Sequence, residues 1–225
     1  MRKNGSRLIS LRQYRLTDLF LFAVILTVFE VILHFAFKAF RGDFIFSPML
    51  AITLIVMMRW GWPAVFYALG DGLLFCLLNI KDPGFSPYMF AIYIVGNAFI
   101  ALLLLMTKFM GKEKIRGKWY FTLLFVTAGW IAVVLGRAAV AACCGLGFVS
   151  ALLSHFGDLV SFAVCLVVIL VMRRLDGMFE DQKTFLKRLD AEKKEKARRD
   201  TFGDEPIEVD EESLKILKKD DDLYN

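Results

Sequence analysis

Six long apolar runs between Thr17 and Met172 constrain this chain more than anything else in it. Crossing a hydrocarbon core of about 30 Å as a helix takes roughly 20 residues, and each run has that length or comes close to it. Hydrophobic residues make up 57% of the chain, with 22 Phe, more than a water-soluble domain of this size can hide. The sequence therefore predicts an all-α integral membrane protein of six transmembrane helices, at about 17–40, 44–58, 62–80, 88–107, 119–142 and 152–172. Gly61-Trp62-Pro63 separates the second run from the third, and Asp82-Pro83-Gly84 closes the third. The first run is about span length with no small-residue cleavage site after it, so it reads as a span and not as a cleaved signal.

Charge gives the expected orientation. Residues 1–172 hold 15 of the 28 Lys/Arg but 7 of the 23 Asp/Glu, whereas the tail is slightly acidic. Arg2, Lys3, Arg7, Arg12 and Arg15 precede the first run, Arg59 follows the second, Lys108 to Lys118 follow the fourth, and Arg173-Arg174 follow the sixth. All fall on one side of a six-span chain. The other side holds Lys38, Arg41, Lys81 and an uncharged loop at 143–151. Basic loops stay in the cytoplasm, so both termini are expected there.

Function should then lie in the few polar residues within the apolar runs, because an ionisable group in a bilayer is costly and faces a cavity or a partner. These are Glu30, His34, Asp71, Arg137, His155 and Asp158, with Asn97 and Asn79 as neutral companions. With both termini inside, Glu30, Asp71 and Asn97 fall near mid-membrane and the others in the outer half. The inner halves are almost purely apolar. The pattern predicts a substrate pocket open to the outside above an apolar floor, with Phe44, Tyr88 and Tyr93 nearby. Glu30 and His34, four apart, share a helix face with Ala23 and Thr27 and can pair. Arg137 and Asp158 flank a short connection and can form a buried ion pair. Either pair could equally serve only to hold helices together. Arg137 and the histidines would suit an anionic or heteroaromatic ligand.

Cys76 and Cys165 read as small apolar residues, and Cys143-Cys144 as a neighbouring pair too strained to bridge. No phosphate-binding loop, nucleophile elbow or zinc spacing is present in the sequence, so neither a cofactor nor catalysis is expected. Nor is a nucleic-acid partner expected. Beyond Met172, the spacing of Leu175, Met178, Phe179, Gln182, Leu186 and Leu189 predicts an amphipathic basic helix over 173–199. The acidic stretch 200–225 reads as disordered, and 1–16 as a basic cytoplasmic segment.

Six spans with both ends inside, no motor motif and an outward polar pocket give a layout that resembles the substrate-binding S components of energy-coupling factor transporters. The local likeness lies in Ser47-Pro48-Met49-Leu50-Ala51, Gly61-Trp62-Pro63-Ala64 and Ala68-Leu69-Gly70-Asp71-Gly72, where family members often show Gly-Pro, small residues and an acid. The resemblance covers about residues 15–175. It implies capture of a vitamin or related micronutrient from outside the cell, and partnership with a transmembrane coupling subunit and two ATPases. It also implies a partner-facing first helix, with Ala23 and Thr27 in the place of the family's small residues four apart. Two other readings stay open: a multi-pass cell-envelope scaffold resembling the rod-shape proteins, and an intramembrane metal enzyme using Glu30, His34, His155 and Asp158.

Overall fold

A computed structural model of the chain describes residues 11–39, 47–82, 84–154 and 158–202. Every regular element among them is a helix. Helix α1 runs Leu11–Ala39, α2 Met49–Trp60 and α3 Ala64–Asn79. Helix α4, Tyr88–Met110, is one helical run containing a π-turn at Ala91–Val95 and a 3-10 turn at Phe99–Leu102. A short α5, Lys112–Gly117, leads into α6, Trp119–Cys143. Then come α7, Phe148–Ser154, and α8, Leu159–Met172. The chain divides into two compact units after Gln182. The charged helix α9 runs Gln182–Phe202, and from Lys183 on it makes up the described part of the second unit, with Arg188–Glu192 and Glu195–Arg199 paired along it.

Among the described residues three helices, α1, α4 and α6, are long and apolar enough to cross a membrane; a fourth span is added if α7 and α8, inclined at 54°, are one broken span. The expectation of six spans is met only in part. Helix α2 has 12 residues and α3 has 16, so they rise about 18 and 24 Å at 1.5 Å per residue, short of a full crossing. The turn at Gly61-Trp62-Pro63 ends α2, and Gly61 takes a positive φ of 75° there, a conformation glycine adopts without a steric cost.

All twelve residues of α2 are buried. It is the axis of the bundle, wrapped by α1, α3, α6 and α8, and its Leu54, Val56, Met57 and Met58 are fully enclosed. Many apolar side chains of the surrounding helices point outwards instead. Phe20, Val28, Ile32 and Phe35 of α1, Leu105 and Phe109 of α4, and Val167 and Val171 of α8 are all exposed. Such an apolar exterior around a partly polar interior fits a membrane protein.

One end of the bundle is tied by charge. Arg59, read from the sequence as a loop cation, is buried: its Nε and Nη2 donate to both carboxylate oxygens of Asp18 at 2.9 and 2.8 Å. Asp18 also accepts from the Trp60 indole, and Arg59 donates to the Gly177 carbonyl. The segment after α8 is a second departure from expectation. No helix begins at Arg173; the chain turns back under the bundle and resumes as helix at Gln182. Phe179 is wholly buried there, its ring 6.4 Å from that of Phe125. Around it, Arg116 pairs with Asp176 and Glu180, Lys112 with Asp181, and the Tyr14 hydroxyl with Gln182. A buried aromatic anchor ringed by ion pairs removes this segment from the amphipathic pattern that its spacing suggested.

Candidate functional site

Three glycines decide where the polar interior forms. A Cβ on Gly72 of α3 would lie 2.5 Å from the Tyr93 carbonyl oxygen of α4. One on Gly96 of α4 would lie 2.7 Å from the Arg137 Cα of α6, and one on Gly136 would lie 2.5 Å from the Gly96 carbonyl oxygen. At these points backbone meets backbone with no room for a side chain. Each glycine adjoins a polar residue in sequence: Asp71-Gly72, Gly96-Asn97, Gly136-Arg137. Neighbours on a helix are about 100° apart. While the glycine touches the next helix, its neighbour therefore turns into the space between helices. The π-turn at Ala91–Val95, one turn before Asn97, lies where such irregularities often serve a site.

Arg137 is the hub. Its Nη1 donates to Asp158 Oδ2 at 2.6 Å, the ion pair expected from the sequence. Its Nε donates to Asn97 Oδ1 at 2.8 Å, and its guanidinium lies 4.7 Å from the Tyr93 ring centroid. Asn97, with no exposure to solvent, donates its amide to the Ala68 carbonyl at 3.1 Å, joining α3 to the network. Asp158 stands immediately before α8, where the partial positive charge of a helix start favours a carboxylate. Arg137 is 18 residues into α6, about 27 Å along its axis, far from the charged end.

A second strand of the network enters from α1. Ser47 Oγ donates to Glu30 Oε2 at 3.0 Å and accepts from the Met49 amide at 3.2 Å, while the Ser47 amide donates to Ser161 Oγ at 3.1 Å. The expected Glu30–His34 pair is replaced, among the described contacts, by Glu30–Ser47. His34, partly buried, sets its ring edge against Phe35 at 5.3 Å. Ser47 precedes α2, and its hydroxyl reaches Glu30 because α2 is the central helix.

These groups border a partly open chamber of about 40 Å³, lined by Asp71, Tyr93, Arg137 and Asp158 on its polar side and by Phe75, Trp130 and Val134 among its apolar walls. Roughly three waters fit such a space. Asp71 is 2% exposed, and its Oδ1 has no hydrogen-bond partner among the described residues. Among the described residues, no three His, Cys, Asp or Glu side chains converge as metal ligands. A larger hollow of about 530 Å³ lies between α1 and α3, walled by Leu16, Phe20, Leu74 and Leu77, and Asp71 borders this one too. Ala23 and Thr27 are exposed on its α1 wall, with the Thr27 hydroxyl turned back onto the Ala23 carbonyl at 2.9 Å.

Of the residues singled out from the sequence, Asp71, Asn97, Arg137 and Asp158 meet in one place, Glu30 joins through Ser47, and His34 stands apart. His155 and Phe44 lie outside the described residues. Ser47, Ser161 and Trp130 escape a reading that ranks residues by charge. The four cysteines are unbridged, with Cys76 and Cys165 buried as expected of small apolar groups. The chain matches no protein-family model, no curated protein and no solved structure.

Proposed function

We propose that this chain is a membrane-embedded capture subunit that takes a small molecule from outside the cell, in the manner of the S components of energy-coupling factor transporters. The observation that carries the reading is the chamber itself. Polar side chains from separate helices converge on it inside a bundle whose exterior is apolar, as binding sites do. In this reading the body is a six-helix membrane bundle with both termini cytoplasmic, the charged end facing in and the chamber lying toward the outside. A chamber of about 40 Å³ admits a group of a few heavy atoms.

Uptake through such a body needs a power source supplied by others: a transmembrane coupling subunit and two ATPases. The hollow beside Ala23 and Thr27 is apolar and helix-sized, which suits a partner helix. Affinity purification from the native membrane tests the reading. Recovery of a polytopic subunit with two ATPases is the expected result. Recovery of envelope-building enzymes instead would favour the scaffold and overturn capture.

A further inference from the structure

Among the described residues that line it, the chamber has one cation, Arg137, and two carboxylates, Asp71 and Asp158. Arg137 is matched by Asp158 at 2.6 Å, its Nε is engaged by Asn97, and one face of its guanidinium is covered by Tyr93. Its charge is thus neutralised within the protein. Glu30, behind Ser47, is engaged by a neutral hydroxyl. Asp71 is left. It is 2% exposed, Oδ1 accepts nothing from the described residues, and the residue lines the cavity. The charges near enough to act on it are Glu30, Asp158 and Arg137, two of them of its own sign.

An unpaired carboxylate oxygen held out of water is costly unless something supplies donors or positive charge. An anion in the chamber would meet Asp71 and Asp158, with the guanidinium of Arg137 already paired. A divalent metal lacks its ligand set among the described residues. The space, with room for about three waters, can take an ammonium or methylammonium group. Resting on the capture reading above, we infer that the ligand of this chamber is cationic: a protonated amine whose N–H groups are received by Asp71, with Tyr93 and Trp130 as its aromatic walls. This reverses the anionic ligand suggested by Arg137 in the sequence. Arginine advertises a site for anions only when its own carboxylate is absent.

Thermal unfolding of the purified full-length protein in detergent tests the inference, using ammonium and methylammonium chlorides against sodium formate and acetate at constant ionic strength. Tetramethylammonium chloride serves as a cation without N–H groups and too large for the space. A ligand that binds the folded state raises its unfolding temperature saturably. Ammonium and methylammonium are expected to do so, while formate, acetate and tetramethylammonium are not. Asp71→Asn should abolish the rise, and Asp190→Asn on exposed α9 should keep it. If Asp71→Asn does not fold, Asp71→Glu, which keeps the charge, should retain a rise, and the wild-type comparison of amines with carboxylates stands alone. Stabilisation by formate but not methylammonium would overturn the cationic assignment and leave capture standing. Stabilisation by none of the ions, or a methylammonium rise that survives in Asp71→Asn, also overturns it. In that case Asp71 is a neutral buried acid, and capture is judged by its own partners.

Discussion

Gly136 of α6 lies so close to Gly96 of α4 that a Cβ on it would sit 2.5 Å from the Gly96 carbonyl oxygen. Backbone cannot yield as a side chain can. Gly136→Ala should therefore destabilise the fold at the upper end of the about 1–3 kcal/mol that overpacking costs. Gly129 of the same helix meets only flexible leucine ends, Leu103 at 3.1 Å and Leu54 at 3.3 Å. Gly129→Ala should be near neutral, because the crowding is offset by alanine's helix preference of about 1 kcal/mol. Gly70→Ala, with nothing within 4 Å, should stabilise slightly. Unfolding temperatures of the three variants should rank in that order, and equal losses would mean that the close crossing is not what places Arg137.

The Arg137–Asp158 pair makes a sharper demand. Truncating either residue strands a buried charge and should cost about 3–5 kcal/mol. The double variant should lose less than the two losses added together, by about 0.5–3 kcal/mol of coupling. Arg137→Lys should not restore stability, because a lysine cannot at once pair with Asp158, engage Asn97 and stack on Tyr93. A double-mutant cycle read by thermal unfolding checks both statements, and strict additivity would refute the pairing.

The segment Arg173–Asp181 is held under the bundle by Phe179 and its ring of ion pairs. Phe179→Ala should destabilise by about 3–5 kcal/mol and make this segment a preferred site of limited proteolysis. Asp18→Asn should do the same more mildly, by weakening the Arg59 clamp on Gly177. A Phe179→Ala protein as resistant as wild type would mean that this turn contributes nothing to the fold.

How far this was legible in the sequence follows from what each signal measures. Apolar runs marked the helices, because burial and lipid both select the same side chains. For the same reason they could not separate α2, buried on every face, from a lipid-facing span; only its length of twelve residues betrays it. Arg137 and Asp158 could be paired from the short connection between them, since topology alone makes their helices neighbours. The Glu30–Ser47 contact depends on α2 being central, which no local pattern states. Arg59 and Asp18, 41 apart in sequence, read as a loop cation and an unremarked acid until the fold brings them to 2.8 Å. Phe179 carried the helical spacing of its neighbours, and a burial anchor looks the same as an amphipathic face in sequence. The glycine beside each of Asp71, Asn97 and Arg137 was a readable signal of close crossing, and it points to the chamber more directly than charge does.

Orientation can be read with a cysteine already present. Cys143 is exposed at the end of α6, beyond Arg137, whereas Cys76 and Cys165 are buried. A membrane-impermeant maleimide should label Cys143 in intact cells. A cysteine placed at Lys112, near the charged end, should react only after permeabilisation. The reverse pattern would turn the proposed topology over.

The chamber should hold a small molecule without any need for ATP, and mass spectrometry of what the protein carries is the decisive test. Purified from its native membrane in lipid nanodiscs, without nucleotide, wild-type protein should release one small molecule in near-stoichiometric amount. Asp71→Asn and Arg137→Ala proteins that remain folded should carry far less. Wild-type protein that carries nothing, or variants that carry the same molecule in the same amount, would contradict the account.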